Sequence, residues 1–465
     1  MASTYLTRTE SSGNRKTGTL SFWVKRNGLG NGSLNQYVYS NWNVSVGGYL
    51  SGLVQFSSAD SFEFSNYQES GTGTHTNLLT NKVFRDISAW YHIVVNWDTT
   101  QATSSDRYKM YINGVQETSF QTANYPSLNE DLYFNIGGAS NPVVIGSNYG
   151  NSTYFDGSMS HYHFIDGTAY DASAFGEYDA NGVWKIKTDV SVTYGTNGFF
   201  ILKDGNSVTD QSGNSNNFTV GGGTLTNTED NPSNVFCTYN PLATSSYGSL
   251  THGNLRTIGI NNAGLSSTYG TISTTSSGKW YWEIKINNTT SGVYPYIGIG
   301  DVDNPNIGRL LNDSGGATGE TNYSSPSFHY RVDGGVYIAG SLNATYSSFA
   351  IGDIISFAVD MDNGASYIAK NGTWQNSGDP TSGASKTGAI TTWTASSISG
   401  FLPSATFYYG ASGVGNSAEV DANFGNGYFG TTAVSSAGTN ASGNGIFEYD
   451  VPTGYTALST KGLNL

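Results

Sequence analysis

Apolar and polar residues alternate along much of this chain, which is the pattern of β-strands that bury one face. Residues 18–26 read GTLSFWVKR and place Leu20, Phe22 and Val24 on one face. Residues 89–98 read AWYHIVVNWD and alternate in the same way. Because no segment carries a convincing long helical period, the pattern predicts an all-β fold of antiparallel strands.

The strongest local signal lies in residues 107–117, which read RYKMYINGVQE. Asn113-Gly114 stands between alternating apolar residues, and this dipeptide favours the tight turn of a β-hairpin. Further strands are predicted at residues 131–137, 142–146, 158–165, 194–202, 278–286, 294–301, 327–334, 352–374, 402–410 and 420–425. Residues 171–176 (DASAFG) predict a short helical turn.

The order of these segments predicts two antiparallel β-sandwiches in tandem. The first sandwich is expected over residues 1–205 and the second over residues 249–430. Residues 206–248 are interpreted as an extended strap or linker, and residues 431–465 as a C-terminal strap. The segments at 232–242 and 452–465 are loosely similar, which suggests that the same kind of strap closes each sandwich.

Composition narrows the function classes. Only 12% of the 465 residues are charged, and the 60 glycines are typical of an all-β protein rich in turns. A net charge of −14 without a basic run argues against nucleic acid or an anionic membrane surface as partner. No apolar run approaches the ~20 residues of a membrane span. The single cysteine, Cys237, excludes an intrachain disulfide.

Particular segments of the sequence resemble two known families. The first 200 or so residues resemble laminin-G-like, concanavalin A-like lectin domains through LSFWVKR, WYHIVVNWD, the RYKMYINGVQ hairpin, VVIGS and YFDGSMSHYHFIDGTAY. The second block is similar to SPRY domains through KWYWEIKI, YIGIGD and VDMDNGASYIAKNGTW. The resemblance implies a concanavalin A-like jelly roll followed by a SPRY-like sandwich, both of kinds used mainly for recognition.

The combination of phrases resembles virion structural proteins of marine bacteriophages, including cyanophages. This resemblance implies a fibre, knob or tail appendage on the virion surface, made in the host cytoplasm because residues 1–16 lack a signal-peptide core. The expected partners are other virion proteins and host-surface polysaccharide, with a homo-oligomer or several copies per particle. Two alternatives stay open: a capsid or tail decoration or assembly protein without a receptor role, and a glycan depolymerase.

Hydrolysis of glycans would need a pair of carboxylates across a cleft. The Glu-x-Asp-x-x-Glu pattern of the related glucanases is not found in this sequence. Glu177 and Asp179 alternate in GEYDANG, and Glu448 and Asp450 alternate in FEYDVP, but neither pair has a third carboxylate. Cys237 has no evident catalytic partners. The sequence therefore predicts no catalytic residues and no enzyme activity.

Metal binding has few candidates. His161 and His163 lie two residues apart, which could begin a zinc site, but no third ligand is visible nearby. The acidic loop DVDNPN offers Asp301, Asp303 and Asn306 as calcium candidates. DMDNG at 360–364 departs from the EF-hand spacing and is interpreted as a hairpin turn, and DQSGNSNN at 210–217 as a turn before a strand. No cofactor is predicted, with calcium as the open alternative.

Overall fold

The computed structural model describes residues 3–30, 32, 34–43, 50–68, 75–138, 142–203, 207–244, 248–260, 266–290, 293–303, 325–338, 341–409 and 417–464. The chain divides into two compact units, Met1–Asn227 and Thr228–Leu465. Throughout the described ranges the regular structure consists of strands and single 3-10 turns, without an α-helix. The predicted all-β class is thereby confirmed. A helix with the length and apolar character of a membrane span is likewise absent from these ranges.

The first unit builds its described part from sixteen strands. They are β1 (Tyr5–Arg8), β2 (Thr17–Arg26), β3 (Gln36–Asn43), β4 (Leu50–Phe56), β5 (Ser61–Gln68), β6 (Thr76–Val83), β7 (Trp90–Asp98), β8 (Tyr108–Ile112), β9 (Val115–Gln116), β10 (Phe120–Asn124), β11 (Val143–Ile145), β12 (Gly157–Asp166), β13 (Gly176–Tyr178), β14 (Trp184–Ile186), β15 (Phe199–Ile201) and β16 (Thr219–Gly222). The predicted helical turn is the 3-10 turn Ala172–Ala174.

Two sheets of this unit face each other across one core. The eight-stranded sheet has the order β10-β6-β5-β4-β3-β11-β1-β16, and the six-stranded sheet the order β15-β12-β2-β7-β8-β9. Neighbouring strands are antiparallel, with Phe22 opposite Ile93 in the β2–β7 pair. The core contains apolar side chains from both sheets, among them Leu20, Phe22, Val24, Phe64, Leu78, Ile93, Val95, Trp97 and Phe164. Leu20, Phe22 and Val24 therefore share one face of β2, as predicted, and that face lines the core between the sheets, although the opposite face of β2 is buried as well.

The hairpin predicted at Asn113-Gly114 joins β8 to β9. Asn113 has φ 48° and Gly114 has φ 81°, the two positive values that this tight turn requires. Gly114 also lies against the indole of Trp184, where a Cβ would come within 2.4 Å of the ring. Asn113 and Gly114 thus both adopt the positive φ values of the turn. Gly114 also has no side chain that would clash with the Trp184 ring.

Residues 131–137 do not form the predicted strand. The backbone there turns, with positive φ at Asn135 (63°) and Gly137 (70°). Side chains take the place of a neighbouring strand, because Tyr133 donates its N–H to Asn66 Oδ1 at 2.6 Å and accepts from Asn41 Nδ2 at 2.5 Å. The strand predicted over 194–202 is also shorter and is confined to β15.

The second unit carries eighteen strands in its described part. They are β17 (Tyr239–Thr244), β18 (Gly248–Thr251), β19 (Arg256–Ile260), β20 (Ser266–Gly270), β21 (Lys279–Thr289), β22 (Val293–Asp301), β23 (Phe328–Arg331), β24 (Gly335–Ile338), β25 (Ser341–Thr345), β26 (Ile354–Asp360), β27 (Ala365–Lys370), β28 (Thr373–Trp374), β29 (Thr391–Thr392), β30 (Phe401–Tyr409), β31 (Ser417–Asn423), β32 (Tyr428–Phe429), β33 (Thr432–Ala433) and β34 (Thr456–Ala457).

These strands form a second sandwich. One sheet has the order β17-β20-β30-β22-β23-β24-β25, and the other the order β18-β19-β31-β21-β26-β27-β28, with β29 on β27 and β34 on β21. Their shared core includes Trp282, Ile284, Ile297, Ile299, Phe357, Val359, Phe401 and Phe407. The prediction of two antiparallel sandwiches in tandem is confirmed. DMDNG at 360–364 is the turn between β26 and β27, as predicted.

The segment interpreted as a strap, 206–248, is divided between the units. Its first part belongs to the first unit, where β16 pairs with β1. Its later part belongs to the second unit and meets the C-terminal segment there. Phe236 bridges Ser459 in antiparallel fashion, and Cys237 donates its N–H to the Leu458 carbonyl at 2.9 Å.

A buried carboxylate fastens the C-terminal segment to β21. Glu283 is 0% exposed, and its Oε1 accepts from the Tyr281 hydroxyl and the Tyr449 N–H, both at 2.9 Å. Its Oε2 accepts from the Glu448 N–H at 2.9 Å and from Asn423 Nδ2 at 3.5 Å. Burial raises the pKa of Glu283 to about 7, while the two backbone donors act in the opposite direction.

We predict that Glu283→Gln destabilises the second unit by about 1–3 kcal/mol, since a glutamine NH₂ group leaves at least one of these buried donors without an acceptor. The measurement is urea unfolding followed by tryptophan fluorescence. Glu229→Gln, a change at an exposed position of the same unit, is the matched control. Equal midpoints for both variants would show that Glu283 does not anchor this segment.

Candidate functional site

An open polar groove of about 490 Å³ lies on the first unit. One wall comes from β1 and the residues after it: Thr7, Arg8, Thr9 and Ser11. The other wall comes from two turns and the start of β16: Thr196, Asn197, Ser215, Asn216, Asn217 and Thr219. Hydroxyl and amide groups dominate this lining, and the volume lies in the range of small-molecule sites, about 300–1,000 Å³.

The turn at 210–217 is organised around one carboxylate. Asp210 Oδ1 accepts from the N–H groups of Phe200 and Ser212 at 2.8 and 2.9 Å. Its Oδ2 accepts from the Ser212 hydroxyl and the Asn216 N–H, both at 2.8 Å. Asp210 in turn donates its own N–H to Asn217 Oδ1 at 2.8 Å. The turn is therefore held in one shape without a strand partner.

Asparagines connect this turn to the neighbouring one. Asn214 Nδ2 donates to the carbonyls of Gly195 and Gly198 at 2.6 and 2.9 Å. Asn216 Nδ2 donates to the carbonyls of Thr196 and Gly198 at 2.9 and 2.8 Å. The two turns thus form a single wall, with the side chains of Thr196 and Asn217 left on its exposed surface.

The floor of the groove is tied down by a second carboxylate. Asp166 Oδ2 accepts from the Asn197 N–H at 3.0 Å, and Oδ1 accepts from Asn135 Nδ2 at 2.7 Å and the Asn14 N–H at 2.8 Å. Asn197 Nδ2 then donates to Asn135 Oδ1 at 2.6 Å and to the Ser11 carbonyl at 2.5 Å. Because these groups satisfy one another, the hydrogen-bond network fixes the floor of the groove.

Arg8 is the charged residue of the lining. Its Nη1 donates to the Asn197 carbonyl at 3.1 Å and its Nη2 to Asn216 Oδ1 at 2.8 Å. The guanidinium carbon lies 5.9 Å from the centre of the Phe199 ring. Arg8 therefore spans the two walls and presents a fixed, planar donor group to the groove.

Glu10, two positions after Arg8, has its carboxyl group in an unusual setting. Glu10 is 4% exposed, and neither of its carboxylate oxygens makes a hydrogen bond of normal geometry within the part of the chain that the structure describes. Burial raises the pKa of Glu10 to about 7, and the charge of Asp166 adds to this, while Arg8 and the Gly137 N–H oppose it. The same surroundings include Tyr39, a buried residue of β3.

The sequence indicated only part of this site. DQSGNSNN was expected to be a turn, and the hydrogen bonds of Asp210 confirm that interpretation. The groove itself was missed, because its walls come from segments about 190 to 210 positions apart in the sequence. The signal present in the sequence was the density of asparagine and serine between residues 195 and 217.

Three of the four carboxylates considered for hydrolysis accept hydrogen bonds that stabilise turns or loops. Asp179 accepts from the N–H groups of Asn181 and Val183 and pairs with Lys185 at 2.7 Å. In the second unit Glu448 accepts from the N–H and hydroxyl of Ser435, and Asp450 does the same for Thr439. Glu177 is exposed on β13. The ten residues that line the groove, all in the described chain, include no Asp or Glu.

The predicted histidine pair lies at an irregular point of β12. The pairing with β2 shifts between Ser160 and His163, and His161 has φ 47°. His163 is buried, with Nδ1 2.9 Å from the Tyr194 hydroxyl and its ring stacked on Phe200 at 3.9 Å. Burial lowers the pKa of His163 far below its ordinary value.

A third histidine, His92, is nearby and fully engaged. Its Nδ1 accepts from Trp184 Nε1 at 2.9 Å, and its Nε2 lies 2.9 Å from Ser21 Oγ. Because an indole N–H can only donate, His92 is neutral with its proton on Nε2. Burial lowers its pKa to about 3, and His161 adds to this.

The calcium candidates lie at the end of β22. Asp301 is 8% exposed, and its Oδ1 accepts from the Asp303 N–H at 2.9 Å. Asn306 lies outside the described residues, so the calcium site stays a prediction. Within the described ranges no three His, Cys, Asp or Glu residues are grouped as metal ligands.

Residues 1–173 match the sequence model of Laminin_G_3, the concanavalin A-like lectin/glucanases superfamily. The first unit therefore contains a lectin-like domain of the concanavalin A type, which the two facing sheets and the shared core also display. The match ends before β13 and does not extend into the second unit. No curated protein matches the chain by sequence.

Three solved structures are similar to parts of the chain. The SPRY domain of human HERC1 is 18% identical, with 40% of this chain and 96% of that chain covered and a TM-score of 0.29. A human SPRY domain is 16% identical, with coverages of 38% and 94% and a TM-score of 0.26. The heptameric SAP-like pentraxin of Limulus polyphemus is 15% identical, with coverages of 36% and 71% and a TM-score of 0.25. Since each TM-score is below 0.5, the fold assignment rests on the strands and cores described above.

We predict that Asp210→Asn weakens the wall of the groove, because an asparagine NH₂ would face two of the four donors that Asp210 now satisfies. The expected loss is about 1–3 kcal/mol in the free energy of unfolding of the first unit. Asp171→Asn is the control, since Asp171 uses a single oxygen, Oδ1, for both bonds to Ser173. Unchanged amide exchange at residues 211–217 in Asp210→Asn would contradict this account.

We also predict that His92 stays neutral in the Nε2–H tautomer until the pH approaches 3. Since its folded-state pKa lies below the ordinary 6.5, its contribution to stability is complete above about pH 6.5 and is lost as the pH falls toward 3, by about 1.4 kcal/mol per unit. Ring ¹⁵N NMR shifts follow this residue directly. An imidazolium spectrum for His92 at pH 5 would overturn the assignment.

Proposed function

We propose that this protein is a recognition protein of a bacteriophage virion surface and that its first unit binds a host-surface glycan. The observation that carries the proposal is the polar groove on a unit that contains a lectin-like, concanavalin A-type domain. The phage setting is supported by the sequence phrases that resemble virion proteins of marine phages.

The chemistry of the groove suits a sugar. Glycans present many hydroxyl groups that donate and accept hydrogen bonds, and the groove offers Thr, Ser and Asn side chains of the same dual capacity. The walls are preorganised by Asp210 and Asp166, so that little ordering entropy is lost on binding.

Binding without catalysis is part of the proposal. Hydrolysis requires two carboxylates about 5–9.5 Å apart across the sugar. The lining of the groove, which lies wholly in the described chain, supplies hydroxyls, amides and one guanidinium instead. Glu10 lies two positions after Arg8, but it is buried and does not belong to the lining.

The partners and the location follow from the same proposal. The protein is made in the host cytoplasm, is assembled in several copies with other virion proteins, and meets polysaccharide outside the cell. The acidic composition, with 34 Asp and Glu against 20 Lys and Arg, supports partners other than nucleic acid and anionic membranes. A decoration or assembly role without a receptor function is the alternative that the following experiment separates.

We predict that Thr9→Trp abolishes glycan binding by filling the groove, because Thr9 is an exposed residue of its lining. The measurement uses fluorescently labelled protein on cyanobacterial cells, with soluble surface polysaccharide as competitor, and a glycan array of neutral and acidic oligosaccharides. The expected result is saturable, competable binding by the wild type and a loss of at least tenfold in the variant.

The control is Thr118→Trp, which places the same side chain at an exposed position outside the lining. Thr118→Trp should bind like the wild type. If both variants bind as well as the wild type, the glycan site is not this groove. If folded wild-type protein binds neither cells nor any glycan, a structural role within the virion takes the place of the proposal.

A further inference from the structure

Arg8, Arg15 and Arg107 are the described arginines that have no carboxylate ion-pair partner in the described chain, and of these three Arg8 lines the groove. Arg26, Arg256 and Arg331 each lie within 3 Å of an Asp oxygen. Among the described carboxylates, none lies within ion-pair distance of Arg8, although this residue opens onto a groove. In a protein with 34 acidic residues against 20 basic ones, an arginine left without an acidic partner in a polar groove requires an explanation.

The hydrogen bonds of Arg8 leave room for a ligand. A guanidinium has five N–H donors, and toward the described residues Arg8 uses two of them, on the Asn197 carbonyl and on Asn216 Oδ1. These two bonds fix the plane of the group between the walls of the groove. The remaining donors have the forked arrangement that binds a carboxylate or sulfate through two parallel bonds.

We propose that the groove selects an acidic glycan, whose carboxylate or sulfate group binds Arg8, and that ionisation of the nearby buried Glu10 weakens this binding. The inference rests on the proposed glycan-binding function and specifies its ligand class. The effect of pH is inferred from Glu10. Its carboxyl group is 4% exposed and makes no hydrogen bond of normal geometry with the described residues. It can serve as an internal competitor for the charge of Arg8.

The sign of the pH effect follows from the surroundings of Glu10. Arg8 faces it from the same segment, Asp166 from the end of β12 and Tyr39 from β3. The pKa of Glu10 is raised to about 7, so the carboxyl is neutral in mildly acidic solution, where the charge of Arg8 is available to the ligand. Above pH 7 the ionised Glu10 offsets that charge. Affinity for an acidic glycan should therefore fall as the pH rises from 6 to 8.

The test measures binding by isothermal titration of the full chain with three probes: dextran, dextran sulfate of the same length, and hexagalacturonate. We expect at least one acidic probe to bind at least tenfold more tightly than dextran at pH 6. A preference for dextran sulfate identifies a sulfate ester, and a preference for hexagalacturonate identifies a uronate. Arg8→Gln should lose about 10- to 100-fold for that probe, and Arg8→Lys should lose less because it keeps the charge.

Arg85→Gln is the matched control, because it removes the same charge from an exposed arginine outside the groove. Glu10→Gln, which cannot ionise, should bind the acidic probe with equal affinity at pH 6 and pH 8. Wild-type protein alone gives a second test, since its affinity for that probe should fall several-fold over this range while its affinity for dextran does not change.

The inference is overturned if dextran binds as tightly as both acidic probes, or if Arg8→Gln, shown to be folded by its thermal melt, binds like the wild type. It is also overturned if neither acidic probe binds. The proposed function has its own readout: binding of any glycan that Thr9→Trp abolishes supports the groove even where the preference for acidic groups fails.

Discussion

Every backbone N–H and C=O group that the strand ladders leave over needs another hydrogen-bond partner, and much of this structure depends on how that need is met. In both units carboxylates and amides meet it. Asp210 and Asp166 hold the turns of the first unit, and Glu283 holds a segment of the second unit against β21. With only 12% of its residues charged, the chain uses several of its acids inside the fold.

This constraint explains what could be predicted from the sequence and what could not. Strands such as β2, β7 and β21 could be predicted from the alternation of apolar and polar residues, because neighbouring positions in the sequence determine which side chains share a face. The Asn113-Gly114 turn follows from φ preferences that belong to the dipeptide. Residues 131–137 alternate as well, but side chains distant in the sequence form hydrogen bonds with their backbone. Such contacts cannot be predicted from the alternation of apolar and polar residues. The groove escaped prediction for the same reason, since its walls meet only in the folded chain.

The first unit combines a rigid frame with an unusual charge arrangement. The frame is the lectin-like sandwich, and the groove adds hydroxyls and amides that a sugar can use. Arg8 and Glu10 lie two positions apart in the chain yet have opposite surroundings, one open to the groove and the other enclosed. Under the proposed function, a lining of this kind would select among glycans by charge as well as by shape. The second unit shares the sandwich architecture.

The pairing of residues near 236 with residues near 459 has a topological consequence. The first and last segments of the second unit run side by side in opposite directions, so they leave the sandwich at the same place. The position of the chain ends could then be changed without changing how the strands pack. A short link between these two segments would close the unit into a ring, which could be reopened at an exposed turn such as 381–387 to give a circular permutant with the same core.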